Sequence, residues 1–199
     1  LKEGTEGYIA MATKRGLIKK TALTEFASIR KVGKIAISIV EGDELISVQL
    51  TGGHDEIIMA SREGKCIRFN EEDVRPMGRG AQGVRSMNLG ADDRLVDMAV
   101  IKPECEVITI TENGYGKRSD YRLQQRAGKG IKAGVFNEKT GKLVNLKLVG
   151  EDEDVMIIAD SGIIIRVAAK DISKIGRNTQ GVRVMKLGEG KVAVVAVTP

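Results

Sequence analysis

Short apolar runs separated by polar turns recur along the whole chain, and the pattern repeats with a period near 50 residues. The stretches "MATKRGLIKKT", "MASREGKCIRF", "TITENGYGKRS" and "IADSGIIIRVA" each read as strand, tight turn ending in glycine, and second strand. Their turn glycines, Gly16, Gly64, Gly114 and Gly162, are separated by 48, 50 and 48 residues. Asn113-Gly114 predicts a type I′ hairpin turn, whose two central residues both need positive φ. Four residues past each glycine stands a base: Lys20, Arg68, Arg118 and Arg166. A second slot, basic and glycine-containing, leads into another strand in "IRKVGKIAISI", "VRPMGRGAQGVRSMNL", "LQQRAGKGIKAGV" and "KIGRNTQGVRVMKL". A third is an acidic turn followed by an apolar strand: "EGDELISVQL", "ADDRLVDMAV", "TGKLVNLKLV" and "EGKVAVVAVT".

The pattern therefore predicts an all-β chain of about four four-stranded units, approximately 1–52, 53–101, 102–149 and 150–199. Helix is confined to single turns near Leu23 to Ile29 and Glu71 to Val74. Four-stranded units repeated at this period imply a propeller-like array in which neighbouring blades bury one another's faces. The nearly continuous apolar runs "EIIMA", "EVITI" and "DVMIIA" suit strands covered on both sides. The tryptophan and aromatic signatures of the WD40 and kelch propellers are missing. The pattern leaves open whether four units form a crescent or a closed ring.

Composition changes the picture in two ways. Aromatic residues are 3% of the chain and tryptophan is absent, so the core must be aliphatic. A formal charge of +5 tilts the partner class toward a polyanion, although 27 acids accompany the 32 bases. There is no run of 18 apolar residues to span a membrane and no signal peptide, and the start at Leu1, in mid-pattern, suggests an excised fragment. Cys66 and Cys105 lack metal-site spacing and read as reduced core thiols. His54, beside Asp55 and Glu56, reads as a loop residue, so a metal site is not expected.

The catalytic motifs fail on context. Gly78 to Gly83 spells GxGxxG, but a strand rather than a helix follows, so no helix N-terminus can hold a pyrophosphate. "QQRAGKG", Gln124 to Gly130, lacks Walker spacing and the hydroxyl after its lysine. The paired acids Asp92-Asp93, Glu71-Glu72-Asp73 and the run at 151–154 read as solvated charge between strands. Tyr8, Tyr115 and Tyr121 read as structural. No residue is assigned a catalytic role.

The segregation of charge by slot is more informative. Acids gather in the turns between units, and bases in the hairpin strand and the glycine loop. In a radial array, matched slots form a curved basic belt. Without base-reading helices or aromatics, such a belt would hold phosphates rather than read sequence. Following it would bend DNA, at a cost of about 1–6 kcal/mol. The DNA-binding candidates are Lys19, Lys20, Arg30, Lys34, Arg79, Lys117, Arg118, Arg126, Lys129, Lys132 and Arg177. Of these Lys19, Lys20, Arg79, Lys117, Arg118, Arg126, Lys129 and Arg177 are expected to share one surface.

The repeats, with "GYGKR", "VRPMGRGAQGVR" and "GRNTQGVR", resemble the C-terminal domain of the DNA gyrase A subunit over essentially the whole chain. The resemblance implies a β-pinwheel, a propeller relative whose blades exchange strands, normally of six blades. It further implies a basic perimeter that wraps double-stranded DNA, and a role in ATP-dependent negative supercoiling by the intact bacterial cytoplasmic, nucleoid-associated enzyme. That enzyme is a heterotetramer of gyrase A with gyrase B. Its ATP site, magnesium and breakage-rejoining tyrosine lie elsewhere, so this fragment would need no cofactor and catalyse nothing alone. Of the family's box Q-R-R-G-G-K-G, Gln124, Arg126, Gly128, Lys129 and Gly130 match. Gln125 stands where arginine is expected and Ala127 where glycine is. The copy lies in the third unit rather than the first blade, which implies a degenerate slot and two blades missing upstream. The alternatives are the related domain of the topoisomerase IV A subunit, or a protein-interaction propeller.

Overall fold

In the computed structural model, which describes residues 6–28 and 32–199, the units appear in register with the sequence repeat. The first contributes β1 (Tyr8–Thr13), β2 (Leu17–Ala22) and β3 (Leu45–Thr51). The second adds β4 (Glu56–Ser61), β5 (Lys65–Asn70), the two-residue β6 (Val84–Arg85) and β7 (Leu95–Val100). The third adds β8 (Cys105–Thr111), β9 (Tyr115–Ser119), β10 (Ile131–Lys132) and β11 (Leu143–Gly150). The fourth adds β12 (Asp154–Ala159), β13 (Ile164–Ala168), β14 (Val182–Arg183) and β15 (Val192–Thr198). Single 3-10 turns over Leu23–Phe26, Glu71–Asp73 and Ala169–Asp171 are the only helical segments among the described residues.

All four hairpins close alike. The glycine N–H donates to the carbonyl three residues earlier, Gly114 to Thr111 at 3.1 Å being representative. The glycines have φ between 81 and 89°, whereas Asn113 does not have positive φ. The expected type I′ turn is therefore a three-residue loop with glycine alone in the left-handed position. A hydroxyl tightens three of the turns: Thr13, Ser61 and Thr111 each accept the N–H four residues on, at 3.1–3.2 Å.

The strands do not stay within their units. The sheet orders are β3-β1-β2-β6, β10-β5-β4-β7, β11-β8-β9-β14 and β13-β12-β15. Each two-residue strand thus leaves its own unit and pairs antiparallel with the second strand of the unit before. Three blades have four strands as expected, and the fourth has three. Each exchange begins at a glycine, Gly83, Gly130 or Gly181, with φ of 104, 69 and 86°. A Cβ there would lie 2.6, 2.6 and 2.7 Å from a backbone oxygen of the accepting strand, of Ile18, Cys66 and Gly116. Only glycine allows both the conformation and the approach.

The core lies between blades rather than within them. Ala10, Ile18, Ile57, Met59, Phe69 and Met98 fill the first joint. Ile58, Cys66, Val107, Tyr121 and Leu146 fill the second. Ile108, Ile110, Val155, Ile157, Met185 and Val195 fill the third. This arrangement explains the continuous burial of β4 and β8. It also corrects the reading of "DVMIIA": β12 alternates buried with half-buried residues, because no blade covers the outer side of the last sheet. The innermost strands β3, β7, β11 and β15 face a central cavity of about 850 Å³, lined by Val48, Leu50, Met98, Leu148 and Val195 among others. Side chains tie these strands in sequence. Gln49 donates to the Met98 carbonyl (3.3 Å), Asn145 to Asp97 (3.0 Å), and the Val195 N–H to Asn145 (3.0 Å).

Candidate nucleic-acid interface

The exchanged strands form the outer edge of three blades, and their second residues, Arg85, Lys132 and Arg183, are all exposed. Identical topology places these three bases at matched positions around the rim. Arg183 also bonds the Tyr115 hydroxyl at 3.0 Å and lies 5.5 Å over its ring. Beside the first two exchanged strands runs the glycine loop of the following unit, and the first unit's loop meets the second's in the same way. Ser38 N–H donates to Ala81 O (3.2 Å), Ala127 N–H to Ser86 O (2.8 Å) and Val135 N–H to Thr179 O (3.0 Å). Rim and loops thus make one continuous hydrogen-bonded band.

The loops of the second, third and fourth units each carry an arginine that staples this band. Arg79 donates to Ile35 O at 3.2 Å, Arg126 to Arg85 O at 2.5 Å, and Arg177 to Lys132 O at 3.1 Å. The three are half-buried. A guanidinium has five N–H donors, so one face holds backbone while the rest remains available at the rim. Lys129 is exposed beside them. Lys34 is half-buried, 3.3 Å from the Glu25 carbonyl, and Arg30 lies outside the described residues.

Four expected DNA contacts are instead internal. Lys19, Lys117 and Lys20 are 0%, 2% and 4% exposed. Their strands are covered on both faces, so a base has no solvent side and must find acceptors inside. Lys19 donates to the carbonyls of Ala36 and Arg79, and Lys117 to those of Gly176, Arg177 and Thr179. Lys20 bonds the Glu71 carbonyl at 3.0 Å, sits 3.3 Å from its carboxylate and lies 4.7 Å over the Tyr8 ring. Arg118 pairs with Glu106 at 2.6 Å and donates to Ile172 O at 2.6 Å. Arg68–Glu56 and Arg166–Asp154, both at 2.5 Å, repeat that within-blade pairing. The eight bases expected on one surface are therefore divided between rim and interior.

The box-like stretch is a structural turn with one free charge. Gln124 N–H donates to Arg68 O at 2.7 Å, and Arg126 reaches Asp73 O as well as Arg85 O. Ala127 is the one non-glycine residue with positive φ (64°) among the described residues. Glycine suits that position better, as the box pattern implies. Lys129 alone of the stretch offers an exposed charge. Sequence reading missed Arg85 and Arg183, although "GVR" stands in both motifs that carry them. The exposed Arg75, Arg122, Lys174 and Lys186 were also missed.

Several acids sit at the turns where strands end. Asp43 accepts the Arg15 N–H (2.9 Å), and Asp93 the Glu63 N–H (3.0 Å) and the Ser61 hydroxyl (2.6 Å). They lock hairpin turns and are not simply solvated. Glu71, expected in a solvated run, is fully buried. Burial alone would raise its carboxyl. Hydrogen bonds from Asp55 N–H, the Thr51 hydroxyl and Gly53 N–H, with Lys20 nearby, hold it below the ordinary range instead. Burial pushes the free Cys66 thiol up to about 12, which keeps it protonated and inert. His54 is exposed and bonded to Glu72 at 2.8 Å. Among the described residues no cluster of three metal-ligating side chains occurs and no helix is long and apolar enough to cross a membrane.

Strand-exchanged blades with a basic rim and acid-locked turns define a β-propeller of the pinwheel type. A family model described as the DNA gyrase C-terminal domain, beta-propeller, matches residues 7–51, 55–102, 106–149 and 153–199, one segment per unit. The chain belongs to this family. The DNA gyrase A subunit of Staphylococcus epidermidis is 46% identical over 95% of the chain and 22% of its own length; the chain thus spans about a fifth of such relatives. A solved DNA gyrase A C-terminal domain matches with a TM-score of 0.87 at 27% identity, over 96% of this chain and 66% of that one. The C-terminal domain of DNA topoisomerase IV matches in fold with a TM-score of 0.92 at 23% identity, over 98% of this chain and 63% of that one.

Proposed function

We propose that the chain binds duplex DNA through its phosphates and wraps it along the rim. The observation carrying this reading is the recurrence of an exposed base at the same place on three exchanged strands, Arg85, Lys132 and Arg183. The loop arginines and Lys129 add charge beside them, and among the described residues no helix is placed to read a groove. Such contacts position DNA without specifying sequence. Within a longer gyrase A chain, paired with gyrase B, the wrap would support ATP-dependent negative supercoiling, with strand passage performed by other domains.

The test is duplex affinity across a salt series. Each neutralised phosphate contributes about −0.9 to the slope of log K against log salt. Replacing Arg85, Lys132 and Arg183 together by alanine should flatten the slope by about 2.7. An unchanged slope would defeat the rim assignment. Closing nicked circular DNA with ligase in the presence of the chain separates wrapping from plain contact, because a wrap leaves a shift in linking number and contact alone leaves none.

The fold match to topoisomerase IV favours a second reading, the equivalent C-terminal domain of that enzyme. Grafting the chain onto each partner core separates the two: gyrase-type wrapping restores supercoiling, whereas the topoisomerase IV role restores only decatenation and relaxation.

A further inference from the structure

Of the glycine loops in the second, third and fourth units, two rest on a buried cation. Lys117, on β9, lies beneath the loop 176–181. Its ammonium donates to the carbonyls of Arg177 (2.5 Å), Thr179 (2.9 Å) and Gly176 (3.4 Å), and reaches the Thr179 hydroxyl at 3.4 Å. Lys19, at the matching place on β2, donates to the carbonyls of Ala36 (2.5 Å) and Arg79. The same slot holds Ile67 on β5 and Ile165 on β13. Ile67 lies under the third loop, its Cδ1 3.9 Å from where a Gly128 Cβ would sit. The units thus alternate lysine and isoleucine. A lysine offers three donors and no acceptor, and here they meet inward-pointing carbonyls that an apolar side chain would leave unsatisfied and buried.

We propose that Lys117 and Lys19 are positioning residues for the rim: Lys117 gathers three carbonyls of the next unit's loop, Lys19 joins the Ala36 carbonyl of its own unit to the Arg79 carbonyl of the next, and each so fixes the bases that follow, Arg177 with Arg183 and Arg79 with Arg85. The inference rests on the DNA-binding reading above and assigns the lysines no contact with DNA. It accounts for two interior charges that, among the described residues, pair with no carboxylate.

The clasp should respond to pH. Burial, with the Arg177 charge adding, lowers Lys117 to about 8. The groups acting on it are the Cys66 thiol from β5 and Arg177 from the loop. Cys66, and Tyr121 beside it, are pushed up by burial and remain neutral in this range. Lys19 is lowered too, by burial and then Arg79, with Glu25 opposing. A lysine depressed on folding holds fewer protons in the folded than in the unfolded state between about pH 8 and 10.5. Its contribution to global stability therefore rises with pH across that window. The loop loses its cation over the same window, so DNA affinity should fall while stability does not. A lysine that only stabilised the fold would not separate the two.

The experiment is hydrogen exchange, corrected for intrinsic rates, together with affinity for a linear random-sequence duplex, at pH 7 and pH 9. In the wild type, residues 176–183 should lose about tenfold protection at pH 9, while residues 125–132, which rest on Ile67, keep theirs. Lys117→Met should show the exposed-loop behaviour already at pH 7, with duplex binding about fivefold weaker and little further change at pH 9. Equal protection of the two loops at both pH values would overturn the proposal, and so would wild-type affinity in a folded Lys117→Met. The wild-type comparison stands even where the variant does not fold. Absence of any duplex binding by the wild type would defeat the DNA reading, leaving loop protection to decide the clasp.

Discussion

Ala127 sits at φ 64°, a conformation that costs an alanine about 1 kcal/mol or more relative to glycine. Ala127→Gly should therefore raise stability by up to about 1 kcal/mol, part of the gain being offset by the freer unfolded chain. A denaturant midpoint that falls would refute this. Glu71 lies at the opposite extreme. It is buried, accepts three hydrogen bonds and faces Lys20 across a blade joint. Glu71→Gln should cost about 3 kcal/mol, because it leaves the buried Lys20 charge uncompensated. Since the Glu71 carboxyl is depressed on folding, its stabilisation is present above the unfolded carboxylate range and is lost as pH falls through the lower folded value. The variant should accordingly lose less stability on acidification than the wild type. At this scale sequence reading placed the turn glycines and misplaced the lysines within strands β2 and β9. A glycine at a tight turn announces a backbone need. A lysine on a strand looks solvent-bound until both faces of that strand prove to be covered, as at Lys19 and Lys117.

The elements were legible, and their partners were not. Strand, glycine turn and strand recur visibly in the sequence, and every hairpin formed where the pattern placed it. That β6, β10 and β14 would join the preceding blade could not be read from periodicity, because two residues carry no alternation and pairing is set by the neighbour's free edge. The exchange glycines do carry the signal in retrospect: Gly83, Gly130 and Gly181 open the only two-residue strands among the described residues. Gly83→Ala would drive a Cβ to 2.6 Å from Ile18 O at φ 104°. The expected loss is about 2–3 kcal/mol, read by chemical denaturation, with exchange protection falling first in β2 and β6. A variant as stable as the wild type would mean that the exchanged strand contributes little to the joint.

For the whole molecule, stability should follow position in the series. The hairpin strands of the first three blades are covered on both sides and those of the last on one. Native-state exchange should therefore be slowest in β4 and β8 and fastest in β12 and β13. A uniform profile would imply a single cooperative unit and contradict an array held by its joints. Most of the large exposed apolar side chains also belong to the end units: Val32, Ile35, Leu45, Val48 and Leu50 in the first, Ile163, Ile164 and Val194 in the last.

Strand exchange also decides how a load is shared. Arg85 belongs by chain to the second unit and by sheet to the first, and Arg126 of the third grips its carbonyl. Lys132 and Arg177 repeat the arrangement one blade further on. In the proposed wrap, a load on such a base would be shared by three successive units, as a rope pulls on a splice rather than on a single strand.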